Sequence, residues 1–154
     1  NKYSNLLNTK FLKVSKFFKR NLCNYKDTEW IIGGKIDGLR EDNIIVEVKN
    51  RVNKLFYQLR DYEKIQAYAY MNILDKQKSQ LVECLRTDNS QMNIIDIKYQ
   101  KTFWNNHIEA RIKAFIKLFE KIVKNPNLQF FILTETKENI DSFLIDFINK
   151  KLNK

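Results

Sequence analysis

The stretch GGKIDGLREDNIIVEVKNR, residues 33–51, decides how this chain is read. It holds all three glycines of the sequence, Gly33, Gly34 and Gly38. EWIIGGKIDGL and NIIVEVKN, rich in Ile and Val, predict two strands joined by a polar turn. Glu41-Asp42-Asn43 suits a three-residue hairpin loop, with Asn43 where positive φ is wanted. That loop sets Arg40 opposite Ile44 and Asp37 opposite Glu47, with two carboxylates about 5 Å apart at Cβ. Glu47 and Lys49 share one face of their strand, while Val46 and Val48 take the other.

Like charges placed opposite each other destabilise a sheet. A divalent cation between them removes the conflict, and hard carboxylate oxygens suit Mg²⁺. Asp37 and Glu47 are therefore candidate metal ligands. Lys49 is placed to orient or deprotonate an attacking water, or to neutralise charge on a phosphorane-like transition state. Glycines, Gly34 among them, allow a phosphate backbone to approach the sheet closely. A lone Glu-x-Lys on a strand is ordinarily a solvated ion pair. Here the glycine, the hairpin spacing and the flanking apolar residues coincide.

The following segment, LFYQLRDYEKIQAYAYMNIL, has no Gly or Pro and shows helical periodicity through Tyr62, Ile65, Ala69 and Ile73. Gln66 and Tyr70 are four apart and share a helical face. GGKID followed by VEVK, and then by this Q-x-x-x-Y helix, resembles the PD-(D/E)XK nuclease superfamily and its RecB-like and phage-type exonuclease branch. The likeness covers roughly residues 30–74. It implies a restriction-endonuclease-like α/β core, a mixed β-sheet flanked by helices. It also implies that Asp37, Glu47 and the Val48 carbonyl hold Mg²⁺, for which Mn²⁺ substitutes. Lys49 would be the catalytic lysine, with Gln66 and Tyr70 over the metal site near the substrate backbone.

The implied activity is hydrolysis of phosphodiester bonds in DNA by an exonuclease or by an end- or single-strand-processing nuclease. Its setting would be repair, recombination or replication, with a helicase or similar protein as a partner. The other reading is an inactive relative that uses the same fold to bind nucleic acid. One departure stands out. Many relatives take a further acid or His from an N-terminal helix, and residues 4–22 contain none; the nearest acids are Asp27 and Glu29. The chain opens with Asn, as a fragment or processed form would: either the metal keeps extra waters, or the ligand lies upstream, or the site is degenerate.

The rest of the chain suits one domain spanning residues 1–154. LLNTKFLKVSKFFKRNL predicts an amphipathic helix with Leu7, Phe11, Val14, Phe18 and Leu22 on one side. SQLVECL and MNIIDIKY predict a second strand pair. FWNNHIEARIKAFIKLFEKIV predicts a helix whose core stripe is Trp104, Ile108, Ile112, Phe115, Phe119 and Ile122, ending before Asn-Pro-Asn. LQFFILTE reads as strand or helix, and NIDSFLIDFINKKL as a closing helix.

With 154 residues, 44% of them hydrophobic, the chain can build a core, and no apolar run is long enough to cross a membrane. Its net charge of +10 favours a polyanionic partner, nucleic acid before an anionic membrane surface. Frequent Lys, Asn and Ile also reflect AT-rich codons. Arg51, Lys54 and Arg60 follow the charged strand and are candidate phosphate contacts. Tyr57 and Tyr62 suit either core packing or stacking on an unpaired base. His107, the single histidine, falls on the polar side of its helix. Cys23 and Cys84 are too few for a four-cysteine iron–sulphur cluster and fit a reduced, intracellular protein of cytoplasm, nucleus or a DNA-containing organelle.

Overall fold

The computed structural model describes residues 10–88 and 90–152. They form two compact units, one ending at Gln100 and the other beginning at Lys101. In the first unit, β1 (Phe11–Lys13), β4 (Gly38–Arg40), β5 (Ile45–Arg51), β6 (Lys78–Leu85) and β7 (Met92–Lys98) form a five-stranded sheet in the order β1-β4-β5-β6-β7. Only β5 and β6 run parallel, joined through helix α1 (Asp61–Leu74); the other neighbours are antiparallel. A separate ribbon pairs β2 (Phe17–Tyr25) with β3 (Thr28–Lys35).

The hairpin has the register expected from its loop. Gly38 pairs with Val46 and Leu39 with Ile45. The Arg40 N–H donates to the Ile44 carbonyl at 3.0 Å, and Asn43 has φ 66°. Strand alternation then divides the sheet into two chemically distinct faces. Val46 and Val82 are buried on one, packed with Phe11, Val48, Cys84, Met92 and Ile94. Glu47, Lys49, Arg51 and Glu83 lie on the other, where α1 packs.

The predicted N-terminal helix is not formed: its described part is β1, a short link and β2. Leu7 lies outside the described residues. Strand pairing explains the change, because β2 pairs with β3 from Phe17 to Tyr25, apart from a bulge at Leu22, and Phe11 packs over Gly38. A Cβ on Gly38 would fall 2.0 Å from the Phe11 ring. Such long-range pairing overrides a local helical pattern.

Helix α1 starts at Asp61, so residues 55–60 precede it as irregular chain. Its buried face is Glu63, Ala67, Tyr68 and Met71, whereas Tyr62 and Ile65 are exposed. Apolar periodicity misjudged the face because a paired glutamate occupies it. Asn125 caps the later helix by accepting from the Asn127 and Leu128 N–H groups, with Pro126 at its first turn.

The second unit is helical. α2 (Lys101–Phe103) passes through a π-turn (Trp104–Glu109) into α3 (Ala110–Val123), followed by α4 (Pro126–Thr134) and α5 (Lys137–Leu152). LQFFILTE is thus helix. Phe131 of α4 meets Phe143 of α5 edge-on at 5.4 Å. Trp104 and Ile108 are buried as predicted, but Phe115 and Phe119 are each 43% exposed. The reason is geometric: Ala114 with Leu118, and Ile116 with Glu120, are buried on two opposite sides of α3, and the phenylalanines fall between them. No helix among the described residues is long and apolar enough to cross a membrane.

Candidate active site

Asp37 sits just before β4 and is held at both ends. Its carbonyl accepts from the Val14 N–H at 3.2 Å, and its Oδ2 accepts from the Val48 N–H at 2.7 Å. The register places it opposite Glu47. On β5, Lys49 Nζ lies 2.8 Å from Glu47 Oε1 and donates to Gln66 Oε1 at 2.9 Å. Gln66 Nε2 in turn donates to the Tyr70 hydroxyl at 3.0 Å. The ammonium can only donate, so Gln66 must offer its oxygen to Lys49 and its amide protons to Tyr70.

The strand and helix match in rise. Two residues of strand span about 6.6 Å, and three or four residues of helix about 4.5–6 Å. Arg51 and Lys49 therefore meet Glu63 and Gln66 in succession. Tyr70 continues that row to the β2–β3 ribbon. A Cβ on Gly34 would lie 2.6 Å from Tyr70 Cε1, so the room this glycine provides is filled by the tyrosine ring.

Glu47 is the strained member of the group. Burial pushes its carboxyl above the ordinary glutamate range, the Lys49 ammonium opposes this, and the Asp37 charge adds to it. Its Oε2 is buried without a hydrogen-bond partner. Burial likewise raises the Tyr70 phenol, against the hydrogen bond from Gln66. An orphaned carboxylate oxygen facing a second carboxylate is a donor set suited to a hard cation such as Mg²⁺. Among the described residues no group of three or more His, Cys, Asp or Glu side chains could hold a metal. Asp27 lies in the turn at the far end of the ribbon, and Glu29 accepts from Asn21 at 2.6 Å. The side chains thus supply two carboxylates, which leaves coordination positions for water and phosphate.

The proposed phosphate contacts separate. Arg51 is not at the surface: it is 9% exposed, 2.7 Å from Glu63 Oε1 and 2.8 Å from Glu83 Oε1. Two carboxylates enclose its guanidinium, so it belongs to the packing under α1. Arg60 caps α1, its N–H donating to Glu63 Oε2 at 3.2 Å and its guanidinium lying 3.5 Å from the Phe56 ring centre. Lys54 is exposed. The Arg51–Glu63–Glu83 cluster escaped the sequence reading. Its signal was a charged residue, Glu83, at an inward position of the apolar strand SQLVECL.

No protein-family model matches this sequence, and neither does any curated protein. Solved structures do. The crystal structure of an alkaline exonuclease (LHK-Exo) from Laribacter hongkongensis superposes with a TM-score of 0.62, covering 86% of this chain and 69% of its own, at 16% identity. The crystal structure of SSO0001 covers 64% of this chain at 17% identity and a TM-score of 0.45; this chain spans 46% of its length. The five-stranded mixed sheet and the likeness to the exonuclease identify the fold as the PD-(D/E)XK, restriction-endonuclease-like one.

Proposed function

We propose that this chain is a metal-dependent deoxyribonuclease that acts at DNA ends or on single strands. The observation that carries this reading is Lys49, fixed between Glu47 Oε1 and Gln66 Oε1 beside a buried, unpartnered Glu47 Oε2. Mg²⁺, or Mn²⁺ in its place, would be held by Asp37, Glu47 and the Val48 carbonyl and would supply Lewis-acid charge at the scissile phosphate.

The chain's own residues do the rest. Asp37 is held by the Val48 N–H through Oδ2, so ordering its carboxylate for the metal would cost little entropy. Lys49 orients the attacking water and neutralises charge on the phosphate oxygens. Gln66 keeps the lysine aimed, and Tyr70 supports Gln66 and the substrate strand. Lys54 and Arg60 supply phosphate attraction that carries no base information. An exonuclease or end-processing role in repair, recombination or replication fits, with a helicase or similar partner presenting the end.

The test is degradation of end-labelled single- and double-stranded DNA in Mg²⁺, Mn²⁺ and EDTA, with Lys49→Ala alongside. Metal-dependent cleavage by the wild type that vanishes in the variant supports the reading. No cleavage by the wild type, with metal-independent DNA binding in both proteins, overturns it in favour of a binding domain on the same fold.

A further inference from the structure

We infer that Tyr57 is a stacking platform for an unpaired base of the nucleic-acid strand, a role that rests on the nuclease reading of the neighbouring hairpin. Tyr57 stands between β5 and α1 with φ 56°. The left-handed conformation is uncommon for a bulky aromatic residue and costs on the order of 1 kcal/mol or more. It persists because both sides of it are pinned. The Tyr57 N–H donates to Glu83 Oε2 at 2.9 Å, and the Phe56 N–H to Glu83 Oε1 at 3.3 Å. Glu83 is itself fixed by Arg51 at 2.8 Å and Asn93 at 2.9 Å. The Phe56 ring lies 4.4 Å from the Arg51 guanidinium and 3.5 Å from that of Arg60.

All this fixes the backbone of a residue that packs little. Tyr57 is 68% exposed, while Leu55 in the same segment is 6% exposed and supplies the burial there. The fold therefore gains little packing from the side chain and bears the backbone strain. What the arrangement produces is an exposed aromatic side chain on a pinned backbone. Tyr62, 56% exposed, and Ile65, 48% exposed, are further exposed apolar side chains near the start of α1.

Position and charge select the occupant. Glu83, which accepts from the Tyr57 N–H, is the β6 register partner of Lys49, so the Tyr57 backbone is anchored to the strand next to the one that carries the proposed catalytic lysine. Lys54 is exposed nearby, and the chain carries a net charge of +10. A flat apolar group on a polyanion is a nucleobase. Paired bases hide their faces inside the stack, so only a single strand or an opened end can present one. Every base has a π-face, which makes the contact tolerant of sequence.

The test measures binding without cleavage. Anisotropy of a fluorescein-labelled oligothymidine and of an abasic strand of equal length is followed in EDTA. Wild type is compared with Tyr57→Phe, Tyr57→Ala and Tyr57→Gly, the last of which adopts positive φ without steric cost. Loss of the ring is expected to weaken oligothymidine binding about tenfold or more. Tyr57→Phe binds as wild type, and the abasic strand does not distinguish the four proteins. Unchanged oligothymidine binding by folded Tyr57→Gly overturns the inference, and so does an equal loss on the abasic strand. Cleavage of DNA with Tyr57-independent binding removes this role and leaves the nuclease standing. Tyr57-dependent binding without cleavage supports this role and removes the nuclease.

Discussion

Two charged clusters lie side by side on β5 and differ in one respect, saturation. Arg51 meets two carboxylates, Glu63 and Glu83, and the three form a buried network whose remaining acceptors are filled by Asn93, Arg60 and loop N–H groups. Two residues earlier, Lys49 meets one carboxylate and one amide, while Glu47 Oε2 stays without a partner and Asp37 faces it. The first cluster is closed and holds a helix and a loop to the sheet. The second has donor atoms left over for something outside the chain. Buried polar atoms are normally satisfied, so the unpartnered Glu47 oxygen, with a second carboxylate opposite it, is the atom the proposed metal chemistry uses, whereas the saturated Arg51 network holds the fold.

The largest expected effects break this comparison in two directions. On the proposed activity, Lys49→Ala lowers the cleavage rate by about 10²–10⁴-fold; it also leaves the part-buried Glu47 carboxylate without its cation and costs about 1–3 kcal/mol in unfolding free energy, less than the change at Arg51. Arg51→Ala leaves two buried carboxylates uncompensated and costs about 3–5 kcal/mol in urea unfolding. If Arg51→Ala unfolds at the wild-type midpoint, the distinction between the clusters is wrong.

A smaller effect sharpens the role of the row above Lys49. Gly34→Ala drives a methyl into the Tyr70 ring and costs about 1–3 kcal/mol. That penalty should disappear in a Tyr70→Ala background, since the two residues share one space. A cost that persists there would place the clash elsewhere.

The smallest effect is the response to acid, which is opposite for the two glutamates. For Glu83, burial raises the carboxyl, but hydrogen bonds from Asn93, Arg51 and the Tyr57 and Phe56 N–H groups outweigh it and hold it below the ordinary value of 4.5. The folded state binds that proton more weakly than the unfolded chain. Glu83 therefore contributes stability above pH 4.5 that is lost as pH falls through its depressed folded value. Glu47 is raised, so its charge opposes folding at neutral pH and acid relieves the penalty as pH falls through the raised value towards 4.5. Thermal midpoints between pH 7 and about pH 3 should show a shallower acid loss in Glu83→Gln. Glu47→Gln should be as stable as wild type, or more so, at neutral pH. The reverse ordering would exchange the roles of the two clusters.

The hairpin was legible because everything that shapes it is local. Glu41-Asp42-Asn43 sets the loop, the loop sets the register, and alternation sets which face each charge takes. The second strand pair and the closing helix were legible for the same reason. The N-terminal segment was not, since Phe11, Val14, Phe18 and Leu22 match a helical repeat and only pairing with β3 and β4 makes their segments strands. In α1 the buried face carries Glu63, a residue that apolar periodicity counts as surface. In α3 burial on two sides erased the single stripe.

By itself, the sequence determined that Asp37 would face Glu47 and that Lys49 would share their side of the hairpin. A three-residue Glu41-Asp42-Asn43 loop and a period of two give that arrangement. Only the tertiary structure decided which charges of β5 are saturated by partners and which keep an unpartnered atom. Gln66, Glu63 and Glu83 reach the strand from elements 12 to 32 residues away, and the burial of an ion pair depends on what covers it. That covering closed the surroundings of Arg51 and left Glu47 with a buried, unpartnered oxygen.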